Sequence, residues 1–360
     1  MDKFLDRIEV CGFKSIRECD IPLKRRNVLI GSNGSGKSNF LSIFSLLDSI
    51  IEGDLAYYAN VCGSNTLFFD GIKITDKIHI AFYFGDNRYG FDLKPTDGGG
   101  LIFSNEFYGY RTTINSLGRG HLESKWKNGV NNGIDRYVKP VMSSHAWRIY
   151  HFHDTSRNAG VKQTASISDN ISLRDDASNL ASFLHMLSIR YPEYYKRIVM
   201  AIRSVAPYFD DFVLRPTLAN EENIRLEWRS VGNDEPFNAH QLSDGTLRFI
   251  CLATLLLQPP ELQPATIVID EPELGLHPAA ISVVADMMRE VTESPRNKQI
   301  IISTQSVDML NEFDADDIIV VDREDGESKF RRLAKESLKV WLKEYTLGDL
   351  WNKNILGGRP

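Results

Sequence analysis

The clearest pattern of apolar and polar positions surrounds a glycine-rich stretch near the start of the chain. Residues 27–30 (Asn-Val-Leu-Ile) form a short apolar run, which is typical of a buried strand. Beyond the glycines, apolar residues recur every three or four positions, as on one face of an amphipathic helix. These apolar positions are Phe40, Ile43, Phe44, Leu47 and Ile51. The pattern therefore predicts a strand, a glycine turn and a helix, in that order.

A second apolar run, at residues 266–269, ends in two acidic residues. Its β-branched composition favours a strand buried in a parallel sheet. Asp270 and Glu271 are then expected on opposite faces, because side chains alternate along a strand. Ligands of open α/β sheets bind outside the carboxyl ends of the strands, so we expect these acids near a ligand.

The region between these two runs has patterns of its own. Alternation over 78–93 around a polar turn predicts a β-hairpin. Helices are predicted at 177–190 and 193–205, separated by Pro192, and residues 224–228 alternate as a further strand. No heptad repeat persists in this region, which argues against long coiled-coil arms.

The glycine stretch itself, residues 31–38, reads G-x-x-x-x-G-K-S, a loop whose backbone N–H groups cradle nucleotide phosphates. In such a loop Lys37 reaches the β- and γ-phosphates, and the Ser38 hydroxyl binds Mg²⁺. Asp270 is predicted to hold the same ion through water, and Glu271 to act as general base on the attacking water. The predicted cofactors are ATP and Mg²⁺, and the absence of an N-K-x-D guanine-reading motif favours ATP over GTP. The predicted nucleotide-binding residues are Gly31, Ser32, Asn33, Gly34, Ser35, Gly36, Lys37, Ser38 and Asn39.

Further motifs, taken with this loop, match a known group of proteins. They are L-S-D-G-T at 242–246, V-I-D-E-P-E-L-G-L-H-P at 268–278 and I-I-S-T-Q-S at 301–306. In this order they resemble the ABC-type ATPase heads of the RecF and SMC (structural maintenance of chromosomes) group, and more narrowly the bacterial "predicted ATPases" related to the ATPase half of OLD-family nucleases. The opening at 8–16 and the closing stretches 348–351 and 357–360 are also similar to that group. The resemblance implies an α/β P-loop NTPase of the ABC-ATPase head type, with a mixed central sheet, an antiparallel β arm and a helical lobe.

The resemblance also implies roles for individual residues. One turn resembles the signature loop, normally L-S-G-G-Q, which contacts the γ-phosphate held by a partner subunit, although Asp244 places a negative charge there. Gln305 stands where many such proteins carry a switch histidine, and it completes a catalytic set with Lys37 and Glu271. Gln163 is a weak candidate for the Q-loop glutamine. The implied signature residues are Leu242, Ser243, Asp244, Gly245 and Thr246, and the implied D-loop residues are Gly275, Leu276 and His277.

These assignments make the whole chain, residues 1–360, a single ABC-type head. Residues 1–64 and 238–335 are expected to form the nucleotide-binding core. The expected additions are an inserted β-rich arm at 65–140, a helical lobe with connecting strands at 141–237 and a C-terminal helical tail at 336–360. Because such heads sandwich ATP between two copies, the resemblance implies a homodimer that forms on ATP binding.

Composition favours a cytoplasmic globular protein. Of the 360 residues, 42% are hydrophobic and 25% are charged, and no apolar stretch approaches the length of a membrane helix. The acidic N-terminus lacks a signal-peptide core. Four cysteines without a C-x-x-C pair are typical of buried thiols in a reducing compartment. No membrane partner is expected.

The net charge leaves nucleic-acid binding open. The chain carries 42 Lys and Arg against 48 Asp and Glu, a net charge of −6, yet DNA binding needs only a local basic face. Candidate basic patches are residues 24–26, then Arg111, Arg119, Lys125, Lys127 and Arg136, then Lys329, Arg331 and Arg332. Charge alone does not decide whether DNA is bound.

Two functional classes fit these motifs. The first is an ATP-hydrolysing switch that dimerises through ATP and acts in DNA repair or anti-phage defence with a separately encoded effector. The alternative is the ATPase subunit of an ABC transporter, which shares the same site chemistry. The RecF-like opening and the inserted β-rich and helical regions favour the first class.

Overall fold

The computed structural model describes residues 4–126, 146–218, 220–293 and 295–358. Lys127 and Arg136 of one basic patch, and the closing Arg359 and Pro360, lie outside the described residues. The chain divides into two compact units. The first unit combines Met1–Arg148 with Gln299–Pro360, and the second unit is Ile149–Lys298.

The strands and helices are numbered here in chain order. The strands are β1 Arg7–Phe13, β2 Ile16–Pro22, β3 Arg26–Ile30, β4 Ile78–Phe84, β5 Asn87–Pro95, β6 Leu101–Tyr110, β7 Thr113–Gly118, β8 Trp147–Tyr150, β9 Ala165–Ser166, β10 Phe209–Phe212, β11 Pro216–Thr217, β12 Asn220–Ile224, β13 Glu227–Ser230, β14 Phe237–Asn238, β15 Thr266–Asp270, β16 Gln299–Thr304, β17 Ile318–Glu324 and β18 Glu327–Arg332. The α-helices are α1 Lys37–Glu52, α2 Leu55–Cys62, α3 Ser64–Leu67, α4 Leu180–Arg190, α5 Pro192–Val205, α6 Asp244–Leu257, α7 Pro278–Thr292, α8 Val307–Asn311, α9 Lys335–Leu338 and α10 Leu347–Asn352. Short 3₁₀ helices lie at Gly160–Lys162, Ala239–Gln241, Ala315–Asp317 and Trp341–Lys343.

An antiparallel sheet in the first unit has the strand order β2-β1-β4-β5-β6-β7. The hairpin predicted at 78–93 is confirmed as β4 and β5. Val10 of β1 lies opposite Cys19 of β2 and Ile80 of β4, and all three side chains are buried. The β-rich stretch expected as an arm therefore continues the sheet of β1 and β2, because the backbone of β4 pairs with that of β1.

A second set of strands in the first unit is mixed, with parallel and antiparallel pairs. The phosphate loop follows one of these strands, β3. β3 runs parallel to both β16 and β17, whereas β17 pairs antiparallel with β18. Leu29 and Ile30 at the end of β3 are fully buried, and α1 buries Phe40 and Phe44. The predicted strand, glycine turn and helix are thus confirmed, as is the mixed character of the sheet.

Helices dominate the second unit. The almost wholly buried α6 packs against both α5 and α7. The helices predicted at 177–190 and 193–205 are present as α4 and α5. The strand predicted at 224–228 is interrupted, because β12 pairs with β9 and β11 while β13 pairs with β10 and β14. Within the described ranges, no helix has the length and apolar character that crossing a membrane requires.

Candidate functional site

The phosphate loop joins β3 to α1 in the first unit. Two of its glycines have positive φ, 76° at Gly34 and 114° at Gly36, a conformation that residues with side chains rarely adopt. A Cβ atom on Gly36 would also overlap the Ser328 hydroxyl of β18. Backbone conformation and packing therefore both require glycine at position 36.

Of the three predicted catalytic residues, Lys37 is buried, whereas Glu271 is half-buried and Gln305 is exposed. The Lys37 side chain keeps the ammonium close to the loop, where Nζ donates to Gly31 O at 2.7 Å and to Ser32 O at 2.9 Å. The residue is 5% exposed. A phosphate bound in the loop would present oxygens that compete for the same ammonium protons, so Lys37 is positioned to exchange carbonyl partners for phosphate partners.

Neighbouring strands hold the loop through serine hydroxyls. Ser328 Oγ donates to Ser35 O at 2.6 Å and lies 2.7 Å from Ser15 Oγ. Asn39, predicted to bind nucleotide, donates from Nδ2 to Ser15 Oγ at 2.7 Å. Sequence reasoning assigned no role to Ser328, and Ser15 entered only through the resemblance of the opening strand. These bonds show that the turn after β1 and the start of β18 shape the loop from outside.

A polar cavity of about 410 Å³ opens beside the start of α1. Its lining includes Lys14, Ser15, Asn39 and Arg323. Arg323 Nη1 donates to Gly34 O at 3.1 Å, and burial lowers the pKa of the Lys14 ammonium. The cavity therefore places two basic side chains next to the phosphate loop, and neither of them was predicted as a site residue.

A second cavity, of about 510 Å³, lies on the first half of the loop. The structure brings the predicted switch residue Gln305 to this cavity, which it shares with loop residues Gly31, Ser32 and Asn33. The remaining lining residues are Val307, Trp351 and Asn352. Gln305 and the phosphate loop are thus neighbours in the first unit.

The acidic residues lie in the second unit, at the end of β15. The strand is buried from Thr266 to Ile269 and ends at Asp270. Glu271 follows with a φ of 42°, in the left-handed region that costs a residue with a side chain about 1–2 kcal/mol. The alternation that predicted opposite faces therefore stops at Asp270. His153 donates from Nε2 to Asp270 O at 2.8 Å and holds this strand end.

The predicted D-loop follows directly. Leu274 N donates to Glu271 O at 3.1 Å, and Leu276 N donates to Glu273 O at 3.0 Å, so the chain makes successive turns. His277 then caps α7, accepting from Ala279 N at its Nδ1 atom at 3.3 Å. The D-loop is thus a short tight connection between the acids and a long helix.

The predicted signature residues begin α6. Ser243 is the N-cap, and its Oγ accepts from Thr246 N at 3.1 Å. Tyr208 OH lies 2.9 Å from Thr246 Oγ1. Asp244, where the usual signature has glycine, pairs with the largely buried Lys162 at 3.5 Å. The unusual negative charge therefore has a nearby cation that sequence reasoning did not identify.

Arg248 connects three segments of the second unit. Its Nη1 donates to Leu274 O at 3.1 Å and its Nη2 to His153 O at 2.8 Å. A Cβ atom on Gly245 would overlap Gly275 O, so the signature turn and the D-loop touch through backbone. Sequence reasoning missed Arg248, because its partners are three backbone carbonyls and the Thr155 hydroxyl, which leave no motif. The candidate Q-loop residue Gln163 is exposed and donates to Arg157 O at 3.1 Å.

The predicted magnesium ligands are oxygen donors of the right kind. Ser38 is exposed at the start of α1, and Asp270 is half-buried at the end of β15. Mg²⁺ takes oxygen ligands, commonly one or two from protein together with substrate phosphates. In the parts of the chain that the structure describes, no group of three or more His, Cys, Asp or Glu side chains forms a metal cluster. Each of these side chains thus offers an oxygen of the kind that Mg²⁺ takes.

Comparisons with known proteins bear on the family and the fold. A family model described as "AAA domain, putative AbiEii toxin, Type IV TA system" matches residues 26–311. The E. coli (strain K12) "Uncharacterized protein YbjD" is 43% identical over 54 residues, which is 15% of this chain and 10% of that protein. The match thus spans about a tenth of the length of that relative.

Solved structures of similar fold include two Smc heads. The Smc head bound to the C-winged helix domain of ScpA has a TM-score of 0.62 and 19% identity, covering 93% of this chain and 99% of that chain. The Smc head with an extended coiled coil, bound to the C-terminal domain of ScpA derived from Pyrococcus furiosus, has a TM-score of 0.60 and 16% identity, covering 95% and 99%. At these identities the likeness is one of fold.

Proposed function

Since the chain belongs to the AAA domain family whose model it matches, and is an ATPase with the fold of an Smc head, we propose that it is an ATP-driven switch that dimerises on nucleotide. The observation that carries this proposal is the buried Lys37 ammonium, held on the carbonyls of its own phosphate loop. A bound triphosphate would take over these bonds, so nucleotide binding has a direct structural consequence in the loop.

Hydrolysis in this proposal uses the residues that the sequence predicted for it. Ser38 and Asp270 would hold Mg²⁺, which would neutralise phosphate charge. Lys37 binds the β- and γ-phosphates, and Glu271 accepts a proton from the attacking water. Gln305 hydrogen-bonds the γ-phosphate from the cavity it shares with the loop. The polar cavity lined by Lys14 and Arg323 receives the rest of the nucleotide.

Dimerisation in this proposal uses the signature turn. The first N–H groups of α6 and the Ser243 hydroxyl form an anion site at a helix start, which suits the γ-phosphate of a second copy. Lys162 beside Asp244 reduces the negative charge that would otherwise oppose this contact. Each copy would then complete the site of the other.

The biological role that we propose is control of a separately encoded effector, in DNA repair or anti-phage defence. The family description, with its toxin–antitoxin context, supports a defence role. Ile189 of α4 and Met200 of α5 are 66% and 61% exposed, which makes this helical surface a candidate effector contact.

The test is phosphate release by the purified full chain with Mg²⁺, with and without DNA or RNA. We expect slow ATP hydrolysis that Lys37→Ala abolishes, and no cleavage of either nucleic acid. ATP-dependent cleavage that is lost in Lys37→Ala would show that the chain is its own effector. No hydrolysis by the wild-type chain would contradict the proposed switch.

A further inference from the structure

The segment that follows β8 is held by hydrogen bonds from α6. Arg248 of α6 donates from Nε to Phe152 O at 3.3 Å and from Nη2 to Thr155 Oγ1 at 3.3 Å. Its Nη2 also donates to His153 O at 2.8 Å. Phe152 is 7% exposed, which fixes the segment further by packing. The half-buried imidazole of His153 therefore extends from a backbone that is held on both sides of it.

The partner of the His153 imidazole is the main chain at the end of β15. Its Nε2 atom lies 2.8 Å from Asp270 O. A carbonyl oxygen can only accept, so Nε2 carries a proton and acts as a donor, not as a base. The bonded carbonyl belongs to the planar peptide that joins Asp270 to Glu271. The hydrogen bond from His153 therefore fixes the orientation of that peptide.

The fixed peptide leads into the unusual backbone conformation of Glu271. Its φ of 42° is unfavourable for a residue with a side chain and persists only where the surrounding structure enforces it. This φ is the rotation about the bond from Glu271 N to its Cα, and that nitrogen belongs to the peptide that His153 holds. On the other side, Leu274 N donates to Glu271 O at 3.1 Å. Hydrogen bonds on both flanking peptides thus set the direction in which the Glu271 side chain leaves the main chain.

The direction of the Glu271 side chain bears on its assigned role. A general base must lie within hydrogen-bond reach of the proton that it takes, so a small rotation of its backbone costs turnover. We propose that His153 is a positioning residue for ATP hydrolysis. By holding Asp270 O, it keeps Glu271 in the left-handed conformation that directs the carboxylate at the attacking water. This inference rests on the proposed function, in which Glu271 is the general base.

The experiment measures ATP turnover, ATP affinity and Tm for variants of the full chain with Mg²⁺. His153→Leu removes the donor at similar size, whereas His153→Gln places an amide N–H near the position of Nε2. We expect His153→Leu to lower turnover about ten-fold, as for the loss of one hydrogen bond, with ATP affinity within about two-fold of wild type. His153→Gln should recover most of the lost turnover. His185→Leu, which changes another half-buried histidine of the second unit, is the matched control and should change neither quantity.

A double-mutant cycle with Glu271→Gln separates positioning from a general structural role. If His153 acts through the Glu271 carboxylate, His153→Leu should slow single-turnover phosphate release less than about two-fold once residue 271 is glutamine. An equally large loss in both backgrounds would overturn the inference. If the leucine variant does not fold, His153→Asn takes its place, because its shorter side chain cannot bring an N–H to the position of Nε2.

The remaining outcomes separate this inference from the proposed function. Wild-type turnover in His153→Leu, or a His153→Gln variant as slow as His153→Leu, would overturn the positioning role. If Glu271→Gln loses turnover while His153→Leu does not, the inference alone fails. If Glu271→Gln turns over ATP at the wild-type rate, the proposed base fails and the inference fails with it.

Discussion

The candidate residues of the first unit and those of the second unit, here called the first half and the second half, are held in different ways. In the first unit one continuous loop and helix carry the phosphate-binding groups, and Lys37 is satisfied by carbonyls of that same loop. In the second unit the strand end, the D-loop and the signature helix are separate segments that Arg248 joins. The first half is thus a preformed cradle that needs one side chain to change partners. In the second half, hydrogen bonds of Arg248 join the segments, so that movement of one segment would shift the others.

This comparison predicts that changes in the second unit affect turnover and not affinity. The largest expected effect is that of Glu271→Gln, which keeps the side-chain shape and removes the base. Turnover should fall about 10²–10⁴-fold while ATP affinity stays at the wild-type value. Phosphate release and equilibrium binding measure the two quantities, and Glu261→Gln, an exposed glutamate of the same unit, is the control. If Glu271→Gln turned over ATP at the wild-type rate, the assignment of Glu271 as the general base would be wrong.

Changes in the first unit should affect affinity. Lys37→Ala removes the ammonium that lies on the loop, and with it the charged hydrogen bonds to phosphate, so ATP affinity should fall about 100-fold. Lys339→Ala, which alters an exposed lysine of the same unit, should leave affinity unchanged. Titration calorimetry would check both variants. An affinity in Lys37→Ala equal to that of the control would contradict the cradle interpretation.

Arg248 tests whether the second half acts as a connected set. A lysine at this position has a compact ammonium group in place of the planar guanidinium. It therefore cannot donate to the D-loop and to the segment after β8 at the same time. We expect Arg248→Lys to lower turnover about ten-fold with unchanged ATP affinity, since hydrogen bonds of about 1 kcal/mol each are lost. Arg203→Lys, at an exposed ion pair with Asp210, is the control. Equal turnover in the two variants would show that the segments act independently.

The smallest expected effect concerns the charge in the signature turn. Asp244 is largely exposed and its ion pair with Lys162 only partly compensates it, so Asp244→Asn should strengthen ATP-dependent association less than about five-fold. The gain should shrink as salt is added, because added ions screen exposed charges. Sedimentation at two ionic strengths would measure it. An association weaker than wild type would show that the carboxylate helps the contact.

Local patterns predicted the fold around the phosphate loop well. The strand at 27–30, the loop and α1 follow one another in sequence, so the motif and the apolar spacing contain the geometry. What the pattern could not supply is the support from distant residues. Ser328 reaches Ser35 across 293 positions, and the C-terminal Trp351 reaches the loop only through the fold.

The second half was predicted less completely, for a physical reason. The acids and the signature serine stand out as motifs, and β15 lies where the pattern placed it. The positive φ of Glu271 and the bonds of Arg248 depend on tertiary packing, which no single-sequence periodicity records. The β-rich region shows the same limit, because alternation predicted its hairpin but not its pairing with β1.

The central claim is that a second copy completes each ATP site, and the mass of the complex tests it most directly. Glu271→Gln, with and without ATP and Mg²⁺, would be examined by light scattering beside the same chain carrying Ser243→Arg as well. We predict that ATP doubles the mass from 40.9 kDa in the single variant only, while both bind nucleotide equally. No increase with ATP, or an equal increase in the double variant, would contradict the shared site.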